Sequence, residues 1–533
     1  MKMRVYLPLS LFGGVLYALG FPSLVMSFLA SFNFGIEKIL ILAPIAGFAL
    51  LFISWDRVQT FWGRFLIFLF FSLGFNTFGF YWIPHVISEF GQIYFPANNL
   101  IALLFTFLIL PHLFVFLLVR HFLCQRTPLR INGQALSILA AFLLTLLEYC
   151  IPQEFPAHIG HPWILLAPRL GLAPLFGAPL YSFVGFWVSL SIASFVRERR
   201  TDFLCGAIFL IFLLSNILLP LPASETCEKP LYLRLVQANI GNFVKAQAMA
   251  GTQNLSEFMI KEQVDLSLLP SEKPLDLIVW PETAYPSEMS SEQFLREIPA
   301  PSILRDLIRA TNSDLLVGGF DRKINTNPDD DFETIANAAF LFDRKEIFRG
   351  HYHKMKLLNF GETLPFGPLN KTIGNIVPAL SFFIHGKDKT LFKTSSGPSF
   401  VMGLCYEVLF SSLVSDYLNS TLTQANFMIN LTNDSWYGPT SEPWQHLFLG
   451  KWRSVEFNLP IVRATNTGVT TLILANGVQA KTLGLFVKGN LDFDLCAPER
   501  TPTLFQKLGF AGLIPIVILL LGLVWFFSRK RIF

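Results

Sequence analysis

Residues 401–410 read "VMGLCYEVLF". The run is apolar enough for a buried strand, yet Cys405 and Glu407 sit inside it with Tyr406 between them. Side chains two apart on a strand share a face, so regular alternation would bury a thiol beside a carboxylate. An unpaired buried charge is costly. What surrounds this stretch must therefore explain its acid.

The surroundings are those of a membrane protein. Hydrophobic residues make up 52% of the 533 and charged residues only 15%, against roughly 25% charged in a typical soluble domain. Mean hydropathy is +0.49. A formal charge of +4 is too small to suggest a nucleic-acid partner. No glycine-rich phosphate loop and no Cys-x-x-Cys pair occurs, and the six cysteines are scattered, so neither a metal site nor a cofactor is indicated.

The apolar residues are not spread evenly. Seven runs, near 5–21, 38–54, 61–82, 99–119, 135–152, 176–195 and 203–221, are close to the ~20 residues that cross a hydrocarbon core. An eighth, "GLIPIVILLLGLVWFF" (512–527), ends in "SRKR". Three segments follow: a seven-helix region over 1–222, a block of soluble character over 223–508, and a final helix with a basic tail over 509–533.

The loops test that count. With the N-terminus cytoplasmic, the inside segments carry Lys2 and Arg4; Arg57 and Arg64; Arg120, Arg126 and Arg130; Arg197, Arg199 and Arg200; and Arg529, Lys530 and Arg531. The short outside loops hold little beyond Lys38 and Arg169. This is the positive-inside pattern, and it places the soluble block outside the cytoplasm with both termini inside. A re-entrant segment near 22–34 would leave this unchanged. Read instead as a cleaved signal peptide, the N-terminus lacks a convincing small-residue cleavage site, and its loss would spoil the alternation.

The soluble block reads as mixed α/β. Strands are expected at 232–240, 275–282, 314–320, 334–343, 424–434 and within 459–477, with helices at 300–312 and 443–457. Three stretches place reactive groups at strand ends: "VWPETAYP" with Glu282, "HYHKMKLLNFGETLPFG" with Lys354, Lys356 and Glu362, and "GLCYE" with Cys405. A carboxylate, an amine and a thiol suit acyl transfer, because a base must deprotonate the thiol and a cation can stabilise the oxyanion. Taken singly each has a bland reading: a packed cysteine, a turn carboxylate, a surface lysine. His351, His353, His385 and His446 show no metal-ligand spacing.

Taken together, "VWPE", "YHKMKLLNFGE", "GLCYE" and "TNDSWYGP" resemble the carbon–nitrogen hydrolase (nitrilase) superfamily, whose triad is Glu, Lys and Cys. Seven spans, this domain and one more span resemble the bacterial apolipoprotein N-acyltransferase family, as do "LVQANI" (235–240) and residues 433–469. The resemblance implies an α-helical transmembrane bundle of about eight helices plus an extracytoplasmic nitrilase-like α/β domain, an αββα sandwich.

It also implies roles. Glu282 would be the general base, Lys354 the oxyanion stabiliser and Cys405 the nucleophile. The Tyr406 N–H would share the oxyanion with Lys354. Glu362 and Glu407 would orient Lys354, and Trp436 would lie near the substrate. Lys356 stands where the family usually has a histidine and carries no catalytic assignment. Ala246 stands where the family usually has tryptophan, with Phe243 nearby.

The implied reaction moves an acyl chain from a membrane phospholipid, through a Cys405 thioester, to the amine of an S-diacylglyceryl-cysteine apolipoprotein. The implied place is the bacterial inner membrane, with the catalytic domain periplasmic. The alternative is a membrane-tethered amidase that discharges its thioester to water. Against a transporter reading, the spans hold few ionisable residues, mainly Glu148.

Two features stay open. "IGNIVPALSFFIHG" (373–386) reads as a lipid-touching lid or a buried segment. Cys227 and Cys496 flank the block and are either bridged or free. The opening run then reads as a strand that ends at Cys405, where the chain turns, with Lys354 as the expected partner of Glu407.

Overall fold

Apolar runs become helices and alternating runs become sheets, but not always at the expected breaks. The computed structural model describes all residues except 1–2, 33–34, 127–132, 200–201, 220, 222–226, 228, 250–251, 324–334, 360, 365–366, 368, 371–382 and 531–533. Two compact units result: Met1–Leu221 with Thr503–Phe533, and Pro222–Pro502.

Among the described residues of the first unit, five helices are long and apolar enough to cross a membrane: Ile36–Asp56, Phe61–Gly79, Gly133–Cys150, Ala173–Glu198 and Leu504–Ser528. Up to seven spans result if each of two bent pairs counts as one: Met3–Leu19 with Leu24–Ala30, bent by 53°, and Ala97–Phe107 with Pro111–Phe122, bent by 41°. The run expected as one helix over 99–119 is thus broken. Its backbone tightens into a 3-10 turn at Phe105–Phe107 and restarts at Pro111, whose ring and missing N–H cannot continue a helix. The segment near 22–34 contains a short helix, Leu24–Ala30, started by Ser23, whose hydroxyl accepts from the Met26 N–H. The expected span at 203–221 forms a 16-residue helix, Phe203–Leu218, shorter than a typical crossing.

Asp56 pairs with Arg120 and, at 2.8 Å, with Arg197. Three of the basic loops therefore meet at one end of the helical unit.

Among the described residues, the second unit holds thirteen strands. In chain order they are β1 Leu231–Gln237, β2 Leu277–Val279, β3 Glu288–Met289, β4 Asp314–Arg322, β5 Ile335–Phe342, β6 Phe348–His353, β7 Phe392–Lys393, β8 Ser399–Leu404, β9 Phe427–Thr432, β10 Ile461–Thr465, β11 Thr470–Ile473, β12 Gln479–Leu483 and β13 Gly489–Leu495. One sheet runs β13-β1-β2-β4-β5-β6, with β3 against β4; the other runs β12-β11-β10-β9-β8-β7. Both mix parallel and antiparallel neighbours.

The helices Gln253–Ser267 and Ser302–Thr311 cover the first sheet. Their Met259, Leu266, Leu304, Leu307 and Ile308 share a core with Val236, Ile278, Val317 and Phe340. The helices Ser411–Ser420 and Glu442–Phe457 belong to the second sheet, and β1 packs on β10 between the sheets. This is the helix–sheet–sheet–helix layering expected.

Strands buried on both faces read as largely apolar runs, and β1, β8 and β9, buried along nearly all their length, were legible for that reason despite Arg234 and Asn430. Cys227 and Cys496 form a disulfide, Cα to Cα 5.5 Å, across a separation of 269 residues.

Candidate active site

Strand ends bring the three reactive groups together. After β2 the chain passes Trp280 and Pro281 to Glu282, and Thr283 turns back with φ of 50°. Gly318 on β4 is required there, because a Cβ would lie 2.2 Å from the Pro281 carbonyl. Lys354 directly follows β6, its N–H bonded to the Asn337 carbonyl of β5. Cys405 directly follows β8.

Cys405 has φ of 52°, a region that non-glycine residues occupy at a cost of order 1–3 kcal/mol. The 3-10 turn Cys405–Leu409 begins at this residue. The strand therefore stops one residue before the thiol, and face alternation does not extend to Glu407.

Lys354 Nζ donates to Glu282 Oε1 at 3.2 Å and Glu362 Oε1 at 2.9 Å. Asn337 Nδ2 donates to the same two oxygens, at 2.8 and 2.9 Å. Glu362 is anchored by the Leu358 N–H at 2.9 Å. Burial works against the charge on Lys354, but Glu282 and Glu362 outweigh it and hold the ammonium well above its ordinary range. The Lys354 ammonium also lies 5.7 Å from the Tyr406 ring centre, and the Tyr406 hydroxyl donates to the Leu357 carbonyl. Burial, then the Glu282 charge, push the Cys405 thiol up, against the pull of Lys354. At rest the Cys405 side chain is therefore held as a thiol.

Glu407 corrects the sequence reading. It is not an ion-pair partner of Lys354. Its Oε1 accepts from the Met355 and Lys356 N–H groups at 2.7 and 2.8 Å. Its Oε2 accepts from the Leu404 N–H at 2.7 Å and the Tyr352 hydroxyl at 2.9 Å. The carboxylate ties the turn at Cys405 to the chain just after Lys354. Its links to the residues beside Lys354 run through backbone amides rather than through an ion pair.

Trp436 is half-buried on the turn Asp434–Tyr437 after β9. Lys356 places its ammonium 4.2 Å from the Phe410 ring centre. The side chains of Phe243 and Ala246 lie outside the described residues, as does most of the expected lid. From Phe383 onward that segment is held, by a Phe383 N–H bond to the Glu362 carbonyl and a ring stack on Phe320 at 5.8 Å.

Two residues were missed by sequence reasoning. Asn337 is a lone amide in the apolar strand "IANAAFLF", and that break in the pattern was the available signal. Lys245, on the helix Asn242–Met249, is buried, and its Nζ reaches the Glu282 carbonyl at 3.3 Å. Burial lowers it to about 8, against the charges of Glu282 and Cys405.

Two groups have metal-ligand chemistry. In Asp321–His351–His353, Asp321 is engaged by Ser291 and by His353 at 2.6 Å. In Asp434–Glu442–His446, the Arg463 guanidinium already supplies a cation at 2.9 Å from Asp434.

The sequence matches the Carbon-nitrogen hydrolase family over residues 233–490 and the Apolipoprotein N-acyltransferase N-terminal domain over residues 13–191. An amidase from Nesterenkonia sp. is similar at 18% identity, covering 55% of this chain and 97% of that one, with a TM-score of 0.36. An apolipoprotein N-acyltransferase of Haemophilus ducreyi is 26% identical over 82% of this chain and 83% of its own length. That of Bdellovibrio bacteriovorus is 30% identical over 84% of this chain and 82% of its own length. With both parts matched in one chain, and a relative of that identity aligned over most of its length, the chain belongs to the apolipoprotein N-acyltransferase family.

Proposed function

We propose that this multi-pass membrane protein transfers a fatty acyl chain from a phospholipid to the N-terminal amine of an S-diacylglyceryl-cysteine apolipoprotein, through a thioester on Cys405. The observation that carries this reading is the buried Glu282–Lys354–Glu362 cluster beside a cysteine held at a strained strand end.

Glu282 takes the thiol proton as Cys405 Sγ attacks the ester carbonyl. The Lys354 ammonium and the Tyr406 N–H stabilise the oxyanion. Collapse releases the lysophospholipid, whose oxygen takes the proton from Glu282. In the second half the incoming amine gives a proton to Glu282 and attacks the thioester carbonyl; the C–S bond breaks, and the Cys405 sulfur takes that proton from Glu282. Splitting the exchange into two steps lowers each barrier.

Glu362 and Asn337 hold Lys354 and Glu282 in register, Glu407 fixes the turn, and Trp436 faces the substrate. The placement that follows from the basic loops is the inner membrane, with the catalytic unit on the periplasmic side and both termini cytoplasmic. Asp56 joining Arg120 and Arg197 at one end of the helical unit supports a common side for those loops.

Intact-mass measurement after incubation with phospholipid tests the reading. A fatty-acyl adduct on Cys405, absent in Cys405→Ala and discharged by a diacylglyceryl lipopeptide, is expected. Discharge by water at the same rate without lipopeptide marks a hydrolase instead. No adduct in the wild type sinks the mechanism.

A further inference from the structure

One buried amide holds the backbone on both sides of the nucleophile. Asn430 Nδ2 donates to the Gly403 carbonyl at 3.0 Å and to the Cys405 carbonyl at 3.1 Å. Asn430 sits on β9 opposite Gly403 of β8, and Arg463 of β10 sits opposite Asn430. Arg463 Nη1 donates to Asn430 Oδ1 at 2.7 Å, and its Nη2 to Asp434 Oδ2 at 2.9 Å. Asp434 Oδ1 in turn meets His446 Nδ1 at 3.1 Å and the Thr432 hydroxyl at 3.2 Å.

Asn430, Arg463, Asp434 and His446 are each 2% exposed or less. Asparagine is a poor strand residue, and burying a guanidinium and a carboxylate is costly even when they pair. Nothing in the proton transfers above uses this chain of groups, so its presence behind Cys405 calls for another role.

The peptide joining Cys405 to Tyr406 supplies one. It is planar, with its C=O and N–H pointing to opposite sides. Fixing the Cys405 oxygen on Asn430 therefore fixes the direction of the Tyr406 N–H. The same clamp restrains the left-handed backbone at Cys405, which would otherwise relax toward an ordinary conformation.

We propose that Asn430, held by Arg463 and Asp434, is a positioning residue that aims the Tyr406 N–H at the oxyanion formed during acylation. This rests on Cys405 being the nucleophile. In that step the Sγ–C bond forms and the carbonyl π pair moves onto oxygen, where the aimed N–H and Lys354 receive it. The ester C–O bond then breaks, and the leaving oxygen takes the proton that Glu282 removed from the thiol.

Two readouts separate aiming from packing. Acylation by phosphatidylethanolamine in detergent micelles passes through an oxyanion; alkylation of Cys405 by iodoacetamide does not. Both are followed by intact mass on the full-length protein. In Asn430→Ala, acylation is expected to slow about 10²-fold, as for loss of one oxyanion donor, through the maximal rate rather than the lipid concentration needed. Alkylation is expected to stay within a few-fold of wild type.

An equal fall in both rates means the turn has simply collapsed and overturns the proposal. So does unchanged acylation. Should the alanine variant fail to fold, Asn430→Ser, which keeps one donor, is read the same way; failure of both marks a folding residue and overturns the proposal. A wild-type protein that alkylates at Cys405 but never acylates there refutes the nucleophile assignment instead, which distinguishes the two failures.

Discussion

Lys354 Nζ and Glu282 Oε1 lie 3.2 Å apart, both side chains buried, and the same ammonium serves Glu362. One cation therefore holds two carboxylates. Lys354→Met leaves both acids uncompensated in a buried site, at a cost of about 3–5 kcal/mol. We expect a marked drop in thermal midpoint and loss of thioester formation by at least ~10²-fold. Adding Glu362→Gln should restore much of the stability and none of the activity, measured by thermal unfolding and acyl-adduct formation.

Asn337 bridges the same two carboxylate oxygens. Asn337→Leu keeps the volume and removes the donor. Each unmade bond to a buried acid costs about 1–3 kcal/mol, so a comparable loss of stability is expected. Acylation should slow by roughly 10-fold or more as Glu282 loses its position. Wild-type rates in this variant would mean that Lys354 alone sets the geometry.

Glu407 gives a pH signature. Burial pushes its carboxyl up to about 7, while the backbone amides and Tyr352 hydroxyl favour the charged form. The sign follows: above about 7 the carboxylate accepts from all four donors, and below it the proton displaces one of them. The rate of thioester formation should fall as pH drops through 7, to roughly a tenth one pH unit below. Glu407→Gln mimics the acid form, so its rate should be low at pH 8 and nearly flat across the range where wild type changes.

Lys245 predicts the opposite trade. Its lowered value, about 8, means the folded state binds it unprotonated from pH 8 upward while the unfolded chain keeps the proton to about 10.5. Stability from this group is therefore lowest below pH 8 and rises between 8 and 10.5, by about 3 kcal/mol in all. Lys245→Met should be more stable than wild type at pH 7, with the gap closing by pH 10.5. If its charge assists Glu282 and Cys405, the same variant acylates more slowly despite its stability. Thermal midpoints and adduct rates across pH check both.

The sheets were legible because a strand buried on both faces leaves a mostly apolar run broken by only one or two polar residues, as in "YLRLVQ" and "FMINLT". The candidate site was legible chiefly through its resemblance to the carbon–nitrogen hydrolases: Glu282 and Cys405 follow apolar strands, but Lys354 follows the polar strand "FRGHYH". Glu407's partners were not, since Tyr352 and Met355 lie more than fifty residues away, one acting through its hydroxyl and the other through a backbone amide that no sequence pattern displays. Asn430 and Asn337 looked like minor interruptions of apolar strands; only the register of neighbouring strands reveals what each amide holds. The break at Pro111 was visible in the sequence, but hydropathy averaged over the window concealed it.

The Cys227–Cys496 bridge turns the catalytic unit into a closed covalent ring set into the chain. A single protease cut anywhere between those two residues opens the ring without releasing either end. The helices before residue 227 and the helix after residue 496 stay joined through sulfur alone. On a denaturing gel the nicked protein should run as one species until reductant is added, then separate into two. New termini placed within the ring would leave the segments at Cys227 and Cys496 tied together while the unit is cut, labelled or rejoined at will.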